Sequence, residues 1–205
     1  MQRFFPESGI AIGPILFVIA LLGILATVVA AGTSDFGTAS VADRAYNDIY
    51  TQANLIRTKI NECNIKYGTD NNGDGWPPSD ASNGTPVCAL TCAGDPGTAL
   101  SSTDCQGNAM TQQNIWNGMR PALLPPPSTG FDQWYYMNAG ASGGRCVWAD
   151  PTGGSASEGI MSGLGKAASK FSSQEVTFNP AGTTKRFVIW ITLPQGTADS
   201  HCQSP

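Results

Sequence analysis

The chain is poor in charge. Of its 205 residues only 13% are Asp, Glu, Lys or Arg, and histidine occurs once, at His201. A single imidazole excludes a zinc site built on several histidines and leaves little for a histidine-based hydrolytic triad. Eleven basic residues against 15 acidic ones, a net charge of −4, exclude the basic stripe of a nucleic-acid binder, so no nucleic-acid partner is predicted. There is no nucleophile-elbow serine and no phosphate-binding glycine loop. Asp132 and Asp150 flank predicted strands, but both stand at turn-like positions where solvation is the simpler role. No catalytic residue is assigned, and the chain is read as a non-enzyme. What it does have is 24 Gly, 14 Pro and six Cys among 41% hydrophobic residues. That is enough for a packed core, with the cysteine usage of an oxidising compartment.

Charge is missing altogether from Ile10 to Gly32, a run that reads IAIGPILFVIALLGILATVVAAG. Thirteen of these residues are Ile, Leu, Val or Phe, and together they favour a bilayer by roughly 4–8 kcal/mol on the insertion scale. About 20 apolar residues suffice to span the hydrocarbon. Arg3 precedes the run and no Lys or Arg follows until Arg44. By the positive-inside rule the N-terminus stays cytoplasmic and the remainder is exported, which agrees with disulfide formation. A cleaved secretory signal fits poorly, because its apolar region is shorter and only Ala30-Ala31-Gly32 resembles its exit. A plain signal anchor fits, and so does a helix that continues past the membrane.

The continuation is visible in the spacing. Apolar residues fall at Val41, Ala45, Ile49, Ala53, Ile56, Ile60, Cys63 and Tyr67, three or four apart, which predicts one stripe of an amphipathic helix over 38–67. Asp43, Arg44, Asp48, Arg57, Lys59, Glu62 and Lys66 take the opposite face. Thr38 or Ser40 is available as a cap if the helix breaks at Gly32–Gly37, and Gly68 is the expected stop.

Residues 68–131 read as a Cys-, Asp- and Gly-rich loop region. No Lys or Arg occurs between Gly68 and Met119, and a loop of that length is either functional or pinned. Asp70-Asn71-Asn72-Gly73-Asp74-Gly75 matches the first half of an EF-hand-type loop, with oxygen ligands at alternate positions and a glycine at the sharp turn. The expected Ca²⁺ ligands are the side chains of Asp70, Asn72, Asp74 and Asp80 with the Trp76 carbonyl. Ala81 stands where the usual bidentate glutamate would be, and a solvated Asn/Asp/Gly turn is the alternative. Cys63, Cys88, Cys92, Cys105, Cys146 and Cys202 are expected to form three disulfides, whose pairing the spacing leaves open; Cys63, on the stripe, can tie the helix to the loop.

In the remainder, Thr111–Leu124 is predicted as a short helix ended by Pro125–Pro127. Asp132–Asn138 and Arg145–Ala149 are predicted strands joined by a turn at Gly140–Gly144, and Ile160–Phe171 is a predicted helix. Gln174–Phe178 and Lys185–Leu193 form a second hairpin across Asn179-Pro180-Ala181-Gly182. Phe187, Ile189 and Ile191 alternate with Val188, Trp190 and Thr192, so this strand is buried on one face and partly on the other. Trp134, Tyr135, Tyr136, Trp148 and Trp190 are expected in the core rather than on a binding surface. The fold class is α+β: a long N-terminal helix packed on an antiparallel sheet of about four strands over 132–205, with a disulfide-rich loop region.

Residues 1–67 resemble the type IV pilins and pseudopilins. The resemblance rests on the short leader with Arg3 ending at Gly9, the uncharged helix containing Leu22-Gly23-Ile24-Leu25-Ala26, and the amphipathic continuation into a Cys-containing, strand-rich part. It implies a leader at 1–9, cut between Gly9 and Ile10 by a prepilin peptidase, with methylation of Ile10. It further implies that 10–37 forms a membrane helix, later a filament core, and a flexible joint. The product is a homo-oligomeric helical filament, a surface pilus or secretion pseudopilus, reached from the inner membrane. Pairing of Cys146 with Cys202 around the last strands follows the C-terminal disulfide loop of many pilins. The chain departs from the family at Pro14, where pilins carry an assembly glutamate, and at Ile10, where phenylalanine is usual. The competing expectation is a single-span, calcium-stabilised exoplasmic binding domain that does not polymerise.

Overall fold

The computed structural model describes residues 12–68, 75–93, 104–105, 108–110, 112, 114–116, 124, 126–154 and 157–205, and in the first helix all side chains but those of 12–15, 25 and 28–36. Two compact units divide between Ser40 and Val41. Helix α1 runs Ile12–Tyr67 and passes through Gly32–Gly37 without a break. Isolated glycines cost a helix about 1 kcal/mol each and do not by themselves end it. Residues 10 and 11 and many side chains of the apolar run lie outside the described residues; among those described, no helical stretch is long and apolar enough to cross a membrane.

The unit from Val41 onward is an α+β layer. Its sheet has five strands, β1 (Thr85–Pro86), β2 (Tyr135–Asn138), β3 (Arg145–Ala149), β4 (Val176–Phe178) and β5 (Phe187–Thr192), in the order β1-β2-β3-β5-β4, with every neighbour antiparallel. One strand more than expected is present because Thr85 and Pro86 pair with Tyr136 and Tyr135 at the sheet edge, where a proline's missing N–H does no harm. Asp132–Gln133–Trp134 does not extend β2, since the Trp134 carbonyl accepts the N–H of Val87 outside the ladder. The turn between β2 and β3 is one helical turn, α2 (Gly140–Gly143). The β4–β5 connection is an Asx turn in which the Asn179 side chain accepts the N–H of Ala181.

Side chains leave both faces of this sheet for apolar surroundings. Tyr136, Val147, Ala149, Phe187 and Ile189 meet Ala45, Ile49, Ala53, Ile56 and Ile60 of α1. Met137, Cys146, Trp148, Val188 and Trp190 form a second core with Cys202 from the C-terminal segment. The alternation read in β5 is therefore real, and all five residues of β3 are buried. On the stripe of α1, Ala42 takes the place expected of Val41, which is exposed.

Helix α3 (Glu158–Ala168) starts two residues before and ends three before the expected span. Ser157 caps it, its hydroxyl accepting the Ile160 N–H. Gly163 lies against α1: a Cβ there would fall 2.6 Å from the Ala42 carbonyl and 2.7 Å from Ala45 Cβ. The predicted helix over Thr111–Leu124 is not found in its described part. Asn114 instead forms a β-bridge with Thr91 and donates to the Cys88 carbonyl, while the Trp116 indole donates to the Val87 carbonyl. Those long-range bonds strap 114–116 to 87–92 in place of a helical ladder.

Candidate functional site

Two regions carry the features from which function is argued: the N-terminal part of α1 and the loop region closed by disulfides. In the first, Leu16, Phe17, Val18, Ile19, Leu21, Leu22 and Ile24 are between 44% and 67% exposed. Consecutive large apolar side chains exposed on all sides of a helix are a surface that demands a partner. The processing residues Gly9 and Ile10 lie outside the described residues.

In the second region the six cysteines pair as Cys63–Cys92, Cys88–Cys105 and Cys146–Cys202, leaving no free thiol. Cys63 ties α1 to the loop, and Cys146–Cys202 joins β3 to the C-terminal segment. Cys88 and Cys105 are half-buried, whereas the other four are buried.

The calcium ligand set is only partly in view. Asp70, Asn72 and Asp74 lie outside the described residues, and among those described no three His, Cys, Asp or Glu side chains converge. The two ends of this stretch are drawn together: Gly68 donates to the Asn64 carbonyl, and a Cβ on Gly75, at φ 70°, would lie 2.5 Å from Gly68. Asp80 is engaged in its own turn, its carboxylate accepting the Ser82 N–H at 2.7 Å. The Trp76 ring is stacked under the Arg145 guanidinium, 4.9 Å from its centroid.

Of the residues weighed for catalysis, Asp150 and His201 have partners within the fold. Asp150 is held by Arg186 through two N–H bonds of 2.8 and 2.9 Å, and Asp132 is exposed. His201 shares a 2.9 Å contact with Asp199 and lies against Trp148. Of the five aromatic residues, Trp134, Tyr136, Trp148 and Trp190 are buried and Tyr135 is half-buried, as a core role requires.

Three polar links escaped the sequence reading. Gln52 sits on the apolar stripe, accepting the Trp134 indole N–H at 2.7 Å and donating to the Pro126 carbonyl. Arg57 crosses from α1 to Glu175. The N–H of Ser172 above all, then the Arg57 guanidinium and the Ser172 hydroxyl, hold the Glu175 carboxyl at about 2, well below its ordinary value. Lys166 of α3 reaches Asp43 of α1 at 2.7 Å. A polar residue at a stripe position was the available signal for Gln52; the other two pair residues more than a hundred positions apart and left none.

Compared with protein families, with curated proteins and with solved structures, the chain matches none of them.

Proposed function

We propose that the chain is a pilin-like structural subunit, assembled into an extracellular filament or secretion pseudopilus through the apolar N-terminal part of α1. The observation that carries the proposal is the contrast along one helix. From Ala42 to Cys63 a stripe is buried by the subunit's own sheet and α3, while the large apolar side chains described between Leu16 and Ile24 stay 44–67% exposed. An apolar helix of this kind is satisfied by lipid before assembly and by copies of itself afterwards; Gly13, Ala20, Gly23, Ala26 and Ala30 permit close approach. The disulfide-closed sheet domain then forms the outer part of the fibre. Calcium held at 70–80 is a further element of the reading, closing the loop between Gly68 and Gly75.

The test is mass spectrometry of the mature protein combined with electron microscopy of sheared surface material. The expected result is an N-terminus at Ile10 and fibres containing this chain. Pro14, in place of the family glutamate, favours a second reading, the non-polymerising exoplasmic domain. Recovery only of membrane-bound chains beginning at Met1, without fibres, would select it.

A further inference from the structure

We propose that Asn83 carries an N-linked glycan; the inference rests on the export that both readings above share. Asn83-Gly84-Thr85 is the single Asn-x-Ser/Thr triplet in the 205 residues. Such a triplet works as a glycan acceptor on a surface loop of an exported chain. Three disulfides and no free thiol are what an oxidising, exoplasmic compartment produces.

The turn around Asn83 closes without using its side chain. Asp80 accepts the Ser82 N–H at 2.7 Å through its carboxylate and the Gly84 N–H at 2.9 Å through its carbonyl. The Asp80 N–H donates to the Thr85 hydroxyl at 2.9 Å. Asn83 is exposed, and its side chain bonds to no other described residue. The side chains of Asn54, Asn108, Asn114, Asn138 and Asn179, by contrast, all donate or accept within the fold. Gly84 turns inward where Asn83 turns out. Its φ is 71°, and a Cβ there would fall 2.4 Å from Trp148 Cη2. Only glycine fits as the middle residue of the triplet, and its contact with β3 pins the backbone while the Asn83 amide stays in solvent.

The co-reactant is a sugar chain linked to a lipid diphosphate. The Asn83 Nδ2 attacks its anomeric carbon, and the C–N bond forms as the C–O bond to the diphosphate breaks. The lipid diphosphate leaves with the electron pair, and Nδ2 gives one proton to a base of the transferase. The triplet is defined by its third-residue hydroxyl. In the folded chain the Thr85 hydroxyl is committed to Asp80, so transfer takes place on the emerging chain and the turn closes afterwards. The closed turn holds the glycan beside Thr85–Pro86, the edge strand β1. A bulky polar group there keeps another chain from pairing on that edge.

The experiment is mass spectrometry of the full chain recovered from its own cells, with fragmentation that keeps sugars attached and thiol alkylation on the same sample. A sugar mass increment localised to Asn83 is expected, on chains whose six cysteines are all oxidised. Asn83→Gln and Thr85→Ala should lose the increment, whereas Thr85→Ser, which keeps the hydroxyl, should retain it. Asn83 is exposed and outside the bonds that close its turn, so Asn83→Gln should keep all three disulfides and serve as the variant whose folding is intact. Bare Asn83 on oxidised chains, a sugar carried only at another residue, or an increment that survives Thr85→Ala overturns the glycan assignment while leaving export in place. Bare Asn83 on chains whose cysteines are reduced overturns both.

Discussion

Replacing Gln52 by leucine tests whether a single polar side chain organises the interface between α1 and the sheet. Gln52 is 3% exposed and serves two partners, accepting the Trp134 indole N–H at 2.7 Å and donating to the Pro126 carbonyl at 3.1 Å. Leucine keeps the volume and the helix propensity but strands the indole. Trp134 is itself 3% exposed, so its N–H has no water to turn to. An orphaned buried donor costs about 1–3 kcal/mol. Pro126 is exposed, and its carbonyl finds solvent. For a domain of this size each kcal/mol moves the midpoint by about 2–4 °C, so Gln52→Leu should melt about 2–12 °C lower. Trp134→Phe removes the donor and strands the glutamine instead. The double variant strands neither, so the two losses should fall short of additivity by about 0.5–3 kcal/mol. Urea unfolding followed by tryptophan fluorescence, disulfides intact, measures all four proteins, with the slope m unchanged. An unshifted midpoint for Gln52→Leu, or single losses that add within about 0.5 kcal/mol, would refute the bridge.

Three further outcomes are expected, two from the geometry and one from the sequence. Glu175 is held ionised down to about pH 2 in the folded chain against an ordinary value of 4.5. Its contribution to stability is therefore complete above about pH 4.5 and is lost as pH falls toward 2, because the unfolded chain takes the proton first. Glu175→Gln should flatten the acid limb of the stability curve in that window, and identical limbs would exclude the effect. Under limiting dithiol reductant, the half-buried Cys88–Cys105 should open before Cys63–Cys92 and Cys146–Cys202, whose sulfurs are covered. Alkylation mapping that finds Cys146 or Cys202 modified first would contradict this. Millimolar Ca²⁺ should raise the melting temperature by an amount set by RT ln(1 + [L]/Kd). Asp74→Ala should abolish the gain, and an unchanged melting curve at about ten millimolar would leave Asp70–Gly75 an ordinary turn.

What was legible in the sequence was what repeats or alternates. The stripe from Ala45 to Ile60 shows because each member faces the same core, and β3 and β5 show because their apolar runs are buried on both faces. β1 did not show: two residues, one of them proline, carry no periodicity, and only the partner Tyr135–Tyr136 makes them a strand. Residues 114–116 looked helical by spacing, yet their hydrogen bonds go to carbonyls some 26 to 29 positions away. Long-range bonds of that kind, like the choice among disulfide pairings, depend on how the chain returns upon itself.

The bond between Cys63 and Cys92 fixes how this domain would carry tension. A pull on the N-terminal side of α1 loads the stripe from Ala42 onward in shear, so that Ile49, Ile56 and Ile60 resist together rather than peeling one at a time. If that packing slips, the helix cannot be drawn out of the domain, because Cys63 is covalently held by a segment strapped through Thr91 and Asn114 to the same core. The apolar contacts set the force at which the domain yields, and the disulfide sets how far it extends afterwards.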